Sequence, residues 1–366
     1  MQTILILILI KKQRKKMKNI IKTAIVMLTS ISLFGSANAG ELTVTGTAKA
    51  TYNIVSGYSS LGKGMGVANE FDLGASGELD NGYTWNYQVQ MDPGAAGASI
   101  NDDSKLTLTT PFGTFGMFIS EGGLDLEDGA SQSVYGRPTD IGDPSGTVDN
   151  VDIDGSNNIQ YHSPKGLLPF DTVIKYGHVT NAQNSNTSAN AAGSEVAFTS
   201  RTADALQVKM TPIDGLNLGA SVTKHQSDST LAQQIALTQQ AGSYAAMATY
   251  KLPTAPITVG ISKAINEPKI NQAALGATGA DEYEQLNYSI AFVVNDNLSV
   301  SYEREDSEKH AIANVTADIE QESSAVQAAY TMGGMTLAVS QGSYKNVGYV
   351  TGKEASQTLF AITMAF

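Results

Sequence analysis

The chain has 366 residues, with 23 Lys+Arg against 35 Asp+Glu, a net charge of −12 and no cysteine. So acidic a chain is a poor partner for DNA or RNA, where phosphate neutralisation supplies much of the affinity. The lack of cysteine excludes a disulfide scaffold, thiolate metal sites and cysteine nucleophiles.

The first 39 residues read as a leader rather than as fold. Met17 opens a basic stretch with Lys18 and Lys22, an apolar run covers Thr23 to Phe34, and Ala37-Asn38-Ala39 gives a small-residue cleavage site before Gly40. This is the layout of a secretory signal peptide, and its apolar run is too short for a membrane-spanning helix. Residues 1–16 are either an extended basic region or an upstream start, with Met17 the expected true start. The leader carries seven of the 23 bases and no acid, so residues 40–366 hold 16 bases against 35 acids, a net charge of −19.

From residue 41 the dominant pattern is alternation with period two. Tyr83, Trp85, Tyr87, Val89 and Met91 share one face, and Thr84, Asn86, Gln88, Gln90 and Asp92 the other. Leu286, Tyr288, Ile290, Phe292 and Val294 repeat the pattern. Successive side chains of a strand point to opposite faces, so each segment has one oily and one polar or small face. Sixteen such segments are expected, at 41–54, 69–79, 83–92, 103–110, 114–120, 157–163, 169–179, 203–211, 216–225, 242–252, 257–265, 283–294, 298–305, 321–332, 335–341 and 355–366.

Their connections alternate between short and long. Asp80-Asn81-Gly82, Pro111-Phe112-Gly113, Asn295-Asp296-Asn297 and Gly333-Gly334 are tight turns. Every second junction is longer, up to 121–156. Short turns at one end and long loops at the other are the mark of an outer-membrane barrel, and many segments have the roughly 9–11 residues a tilted strand needs to cross the hydrocarbon. The expected fold class is therefore all-β, a sixteen-stranded antiparallel transmembrane β-barrel with short periplasmic turns and long extracellular loops, located in a bacterial outer membrane.

Residues 121–156 hold nine acids, among them Glu121, Asp125, Glu127, Asp128, Asp140 and Asp143, and one base, Arg137. Charges lining a narrow passage with low-dielectric walls select which ions concentrate there, so an acidic waist predicts cation preference. On the wall, alternation puts Lys49, Lys105, Lys209 and Lys251 inward beside Glu70, Asp72 and Asp92. Asn150, Asp152 and Asp154, followed by Gly155, match the start of a calcium-loop pattern. The twelfth position is Tyr161 instead of Glu, so only a loose divalent contact is expected there. No catalytic residue and no cofactor is expected: the four histidines are scattered, and no serine has a distinctive setting. In the last strand, Phe360, Ile362, Met364 and Phe366 share one face. The terminal Phe366 resembles the signal by which outer-membrane proteins are recognised for insertion by the barrel assembly machinery.

Two stretches resemble the trimeric Gram-negative general porin family: Leu106-Thr-Leu-Thr-Thr-Pro-Phe112-Gly113-Thr-Phe115-Gly116, and Asn158-Ile159-Gln160-Tyr161-His162-Ser163-Pro164. The resemblance is sharp across about 104–177. It implies a sixteen-stranded barrel, a homotrimer among outer-membrane lipid and lipopolysaccharide, and a third external loop, here 121–156, folded into the lumen. It further implies a passive diffusion channel for small hydrophilic solutes. One departure stands out: Gln160 occupies the position where the family's strand motif carries Arg, and beyond the leader only Arg137, Arg201 and Arg304 occur. The strong transverse field of the family does not carry over with the motif. A substrate-selective channel on the same fold, or a surface receptor or adhesin, would use the same barrel.

Overall fold

The computed structural model describes residues 40–57, 63–91, 103–142, 151–180, 202–226, 237–239, 241–268, 270–271, 280–311 and 317–366. The leader expected at 1–39 lies outside them. The strands begin with β1 (Glu41–Gly57), β2 (Gly64–Glu78), β3 (Thr84–Met91), β4 (Ser104–Thr110) and β5 (Gly113–Ile119). Then come β6 (Asn158–His162), β7 (Val173–Val179), β8 (Thr202–Ile213), β9 (Leu216–Gln226), β10 (Leu237–Gln239) and β11 (Gly242–Lys251). The rest are β12 (Ile257–Glu267), β13 (Ile270–Asn271), β14 (Ala280–Val293), β15 (Leu298–Ala311), β16 (Ile319–Met332), β17 (Met335–Lys345) and β18 (Glu354–Ala365). Apart from the short ribbon β10–β13, every strand pairs with its chain neighbours, and β1 pairs with β18 to close a sixteen-stranded antiparallel barrel.

All sixteen expected segments are strands of this barrel, but several boundaries move: β2 begins at Gly64 rather than 69, β17 runs to Lys345 rather than 341, and the changes at β7 and β15 have a clear local cause. Strand β7 begins at Val173, because Pro169–Asp171 forms a 3-10 turn with Phe170 and Asp171 at positive φ. Strand β15 runs six residues further than alternation suggested, to Ala311. Its added part, Asp306 to Ala311, is mostly polar on both faces and so carries no periodic signal.

Alternation has the predicted physical result. Tyr288, Ile290 and Phe292 of β14 and Phe360, Ile362 and Met364 of β18 are exposed on the outer wall. Their neighbours Asn287, Ser289, Leu359 and Ala361 are buried inside. Closure leaves no unpaired edge, which is what allows a sheet to stand in hydrocarbon. Turns at the short end use local chemistry: Asn81 Oδ1 accepts from Tyr83 N at 3.1 Å and Gly82 takes φ 80°. Asn295 Oδ1 accepts from Asn297 N at 2.9 Å and Leu298 N at 3.0 Å. The seam is completed by Phe366, whose backbone N–H and C=O pair with Gly46, each at 3.0 Å. Its ring meets Phe71 edge-on at 5.7 Å.

The core lies within the barrel, between the wall and the connection that follows β5. Leu124 and Ile153 pack on Val179, Ala203 and Ala205; Leu126 packs on Ala245 and Ala264; Val134 and Tyr135 lie against Ala329, Ala338 and Leu359.

Candidate functional site

The segment after β5 turns inward and travels round the inside of the wall, meeting its anchors in strand order. Gln160 on β6 donates to the carbonyl of Gly122, and Gln207 on β8 donates to Leu124 O at 3.0 Å. Ser262 on β12 donates to Glu127 O at 2.7 Å. Ser289 on β14 donates to Ala130 O at 2.8 Å and accepts from Gln132 N at 3.1 Å. On β15, Glu303 accepts from the hydroxyls of Ser131 and Ser133, and Ser301 accepts from Val134 N at 3.0 Å. Gln327 on β16 accepts from Tyr135 N at 3.0 Å and donates to Gly136 O at 2.6 Å. Tyr344 on β17 donates to Pro138 O at 3.0 Å, and Gln357 on β18 donates to Ile141 O at 2.8 Å. The returning arm uses β11 and β9: Ser243 donates to Val151 O at 2.9 Å, and Thr223 donates to Asp152 Oδ1 at 3.4 Å.

Small wall residues let the loop come this close. At Gly260 a Cβ would collide with the carbonyl oxygen of Ala130, and at Gly177 with the Ile153 side chain. These glycines serve a close approach of backbone rather than a turn.

The charged residues divide into buried and exposed sets. The Arg137 side chain is 8 % exposed and lies against Asp128 at 2.8 Å, Asp140 at 2.9 Å, Glu305 at 3.5 Å and Glu127 at 4.0 Å. Burial alone would lower its pKa; the hydrogen bond to Asp140 and the charges of Glu305 and Asp128 outweigh it and hold the guanidinium protonated. Glu127 is buried too, accepting from Asn266 Nδ2 at 3.1 Å. Asp128 and Asp140, by contrast, have side chains 53 % and 49 % exposed. Glu121 pairs with Lys105, and Asp125 is partly exposed.

Asp152 is a staple between the two arms of the loop. Its Oδ2 accepts from Leu124 N at 2.7 Å and Asp125 N at 3.2 Å. Burial raises its carboxyl above the ordinary carboxylate range, against the lowering effect of backbone N–H groups. Asp154 accepts from Gly155 N at 2.7 Å. Asn150, Asp143 and Asp92 lie outside the described residues.

On the wall, the Lys49 ammonium sits 5.8 Å from the centroid of the Tyr135 ring of the inward loop. Pairing with Thr47 and Thr45 puts Glu70 and Asp72 on that face, and Asp72 accepts from Gln88 Nε2 at 2.9 Å. Sequence reasoning missed Glu303, Glu305, Gln327 and Lys175. For Glu303, Glu305 and Lys175 the signal was available, since each takes the lumen parity of its strand. The role of Gln327 needed the loop's path.

A closed antiparallel barrel, oily outside and polar within, whose lumen is narrowed by a loop hung from its own wall, is a pore-forming barrel of the outer membrane. A family model described as Gram-negative porin matches residues 23–197. Among solved structures, the chain is similar to a loop L8 deletion mutant of OmpT from Vibrio cholerae, with a TM-score of 0.64 and 13% identity over 90% of this chain and 100% of that one. It is also similar to the anion-selective porin from Comamonas acidovorans, with a TM-score of 0.63 and 13% identity over 89% of this chain and 100% of that one. Salmonella typhi OmpF gives a TM-score of 0.57 and 12% identity over 90% of this chain and 98% of that one. Comparison with the curated proteins returned no match. Over residues 23–197 the chain is similar to the Gram-negative porin family, and its closed sixteen-stranded barrel is the fold of the solved porins.

Proposed function

We propose that the channel passes small hydrophilic solutes and ions passively, sieving them at the loop-narrowed waist, and that it prefers cations. The observation that carries the preference is the contrast between Asp128 and Asp140, half exposed on the loop, and Arg137, buried behind them. In a water-filled passage with low-dielectric walls, exposed carboxylates raise the local concentration of cations, and a buried, ion-paired base does little to oppose them. Lys49, the Lys105–Glu121 pair and, beneath the loop, the lumen lysines Lys175 and Lys209 moderate the field.

The test is a reversal potential across a planar bilayer in a KCl gradient. The expected sign is cation-selective, moving toward neutrality in Asp128→Asn/Asp140→Asn. An anion-selective wild type, or a double variant with an unchanged potential, would overturn the acidic-waist reading.

The working unit is proposed to be a homotrimer. A Vibrio cholerae OmpT solved in trimer form shares the fold with a TM-score of 0.60. A heat-sensitive oligomer band on gels tests this. Outward-facing charges at the loop end of the wall support contact with lipopolysaccharide: Lys263 pairs with Glu284 at 2.6 Å, and Arg304 and Lys345 meet Glu322 at 3.1 and 2.9 Å. Phe366 is proposed as the signal read by the barrel assembly machinery.

A further inference from the structure

We propose that the lumen beneath the inward loop holds a binding site for small organic dianions of the dicarboxylate class, carried by Lys175 and Lys209; this rests on the channel reading and adds a solute to it. The site is a cavity of about 470 Å³ between the underside of the loop at Gly129 and Gln132 and the turn at Lys165 and Asp171. That volume falls in the roughly 300–1,000 Å³ range of small-molecule sites.

Strand pairing fixes the two lysines. Val173 lies opposite Lys209 and Lys175 opposite Gln207, so the lysines are diagonal neighbours on the lumen face of β7 and β8. Diagonal positions are roughly 7–8 Å apart, within reach of long side chains. Neither lysine forms an ion pair among the described residues, whereas the neighbouring Lys165 meets Asp171 at 3.5 Å. The charge of Asp125 reaches Lys209 and Asp171 lines the same cavity beside Lys165, but neither carboxylate forms an ion pair with Lys175 or Lys209, and two like charges side by side leave a place that a dianion completes.

The surrounding polar groups do not compete for that role. Gln132 Nε2 donates to Ala130 O at 3.3 Å and Ser131 O at 2.8 Å, and Gln207 Nε2 donates to the loop. Thr211 donates to Asn217 Oδ1 at 3.0 Å, and Asn217 donates to Thr249 at 3.2 Å. Beside them the Lys175 and Lys209 ammonium groups bring two full charges, with the Thr249 hydroxyl and Lys165 also lining the same cavity. Met210, Met247 and Val173 complete the lining. Apolar surface beside paired cations suits a carbon chain between two carboxylates better than a compact inorganic anion.

Calorimetric titration of the folded protein in detergent with succinate reads the site without relying on conductance. The expected result is saturable binding, weakened at least about tenfold in Lys175→Gln/Lys209→Gln, the scale set by losing hydrogen bonds to charged donors. Lys175→Arg/Lys209→Arg, which keeps both charges, should retain it. Absence of saturable heat, or unchanged affinity in the double Gln variant, would overturn the proposal. Inorganic phosphate binding as tightly as succinate would overturn the dicarboxylate assignment. Conductance steps in KCl test the channel separately: a protein that conducts but does not bind succinate loses the site and keeps the channel.

Discussion

Arg137 and Glu305 meet at 3.5 Å where the inward loop lies against β15, and Glu305 also accepts from the backbone and hydroxyl of Thr139 at 3.0 and 2.7 Å. Glu305 thus holds the loop on both sides of Pro138. Arg137→Ala would leave Glu127 and Glu305 buried without their counter-charge. Removing one partner of a buried pair costs about 3–5 kcal/mol, here charged against loop attachment rather than against the barrel, whose strands pair independently of it. Single-channel recording should show a larger and noisier current from a protein that still migrates as a folded barrel. A quiet current of wild-type size would contradict this.

Gly260→Val tests the close approach. Its side chain would enter the space of the Ala130 carbonyl, and the strand, pinned by β11 and β14, cannot retreat. The loop must therefore move toward the lumen axis, and a smaller single-channel conductance is expected. A conductance equal to the wild type would show that the loop has room that the packing denies.

Asp152 gives a pH dependence with a definite sign. Burial raises its pKa in the folded state, so the folded protein holds this proton more tightly than the unfolded chain. Its contribution favours folding below the ordinary carboxylate pKa and is lost as pH rises through the raised value. Melting of wild type and Asp152→Asn should be compared across that window. The wild type should lose ground to the variant as pH increases, and a constant difference would count against the buried carboxyl.

Removing Phe366 deletes two backbone hydrogen bonds to Gly46 and the edge-on contact with Phe71. Each hydrogen bond is worth about 0.5–1.5 kcal/mol net, small beside a whole barrel. The expected defect is therefore in assembly yield in cells, with near-normal thermal stability of the protein that does insert. A normal yield would argue that Phe366 is only a seam residue.

The barrel was legible in the sequence because a two-residue period needs no long-range information: Leu286 to Val294 declares its oily face on its own. The same parity puts Lys49 on the face where it meets Tyr135 of the loop. What the sequence could not supply was the loop's route. Nine acids on 121–156 look alike in composition, yet Glu127 and Asp152 are buried against wall and backbone while Asp128 and Asp140 keep about half of their side chains exposed. That division depends on which strand each loop residue passes, and the passing order is set by closure. Gln160 is the sharpest case: a position where the family carries a charge here carries an amide, which holds the Gly122 carbonyl.

The order of the anchors also bears on how the channel is made. Docking points for the loop come from strands as late as β16, β17 and β18, and the Ile141–Gln357 bond spans 216 residues of sequence. Contacts between such distant parts of a chain form late. The waist is therefore the last feature this protein can acquire, and a half-built cylinder has nowhere to hang it. A loop that docks only on a finished wall makes selectivity itself a readout of complete assembly.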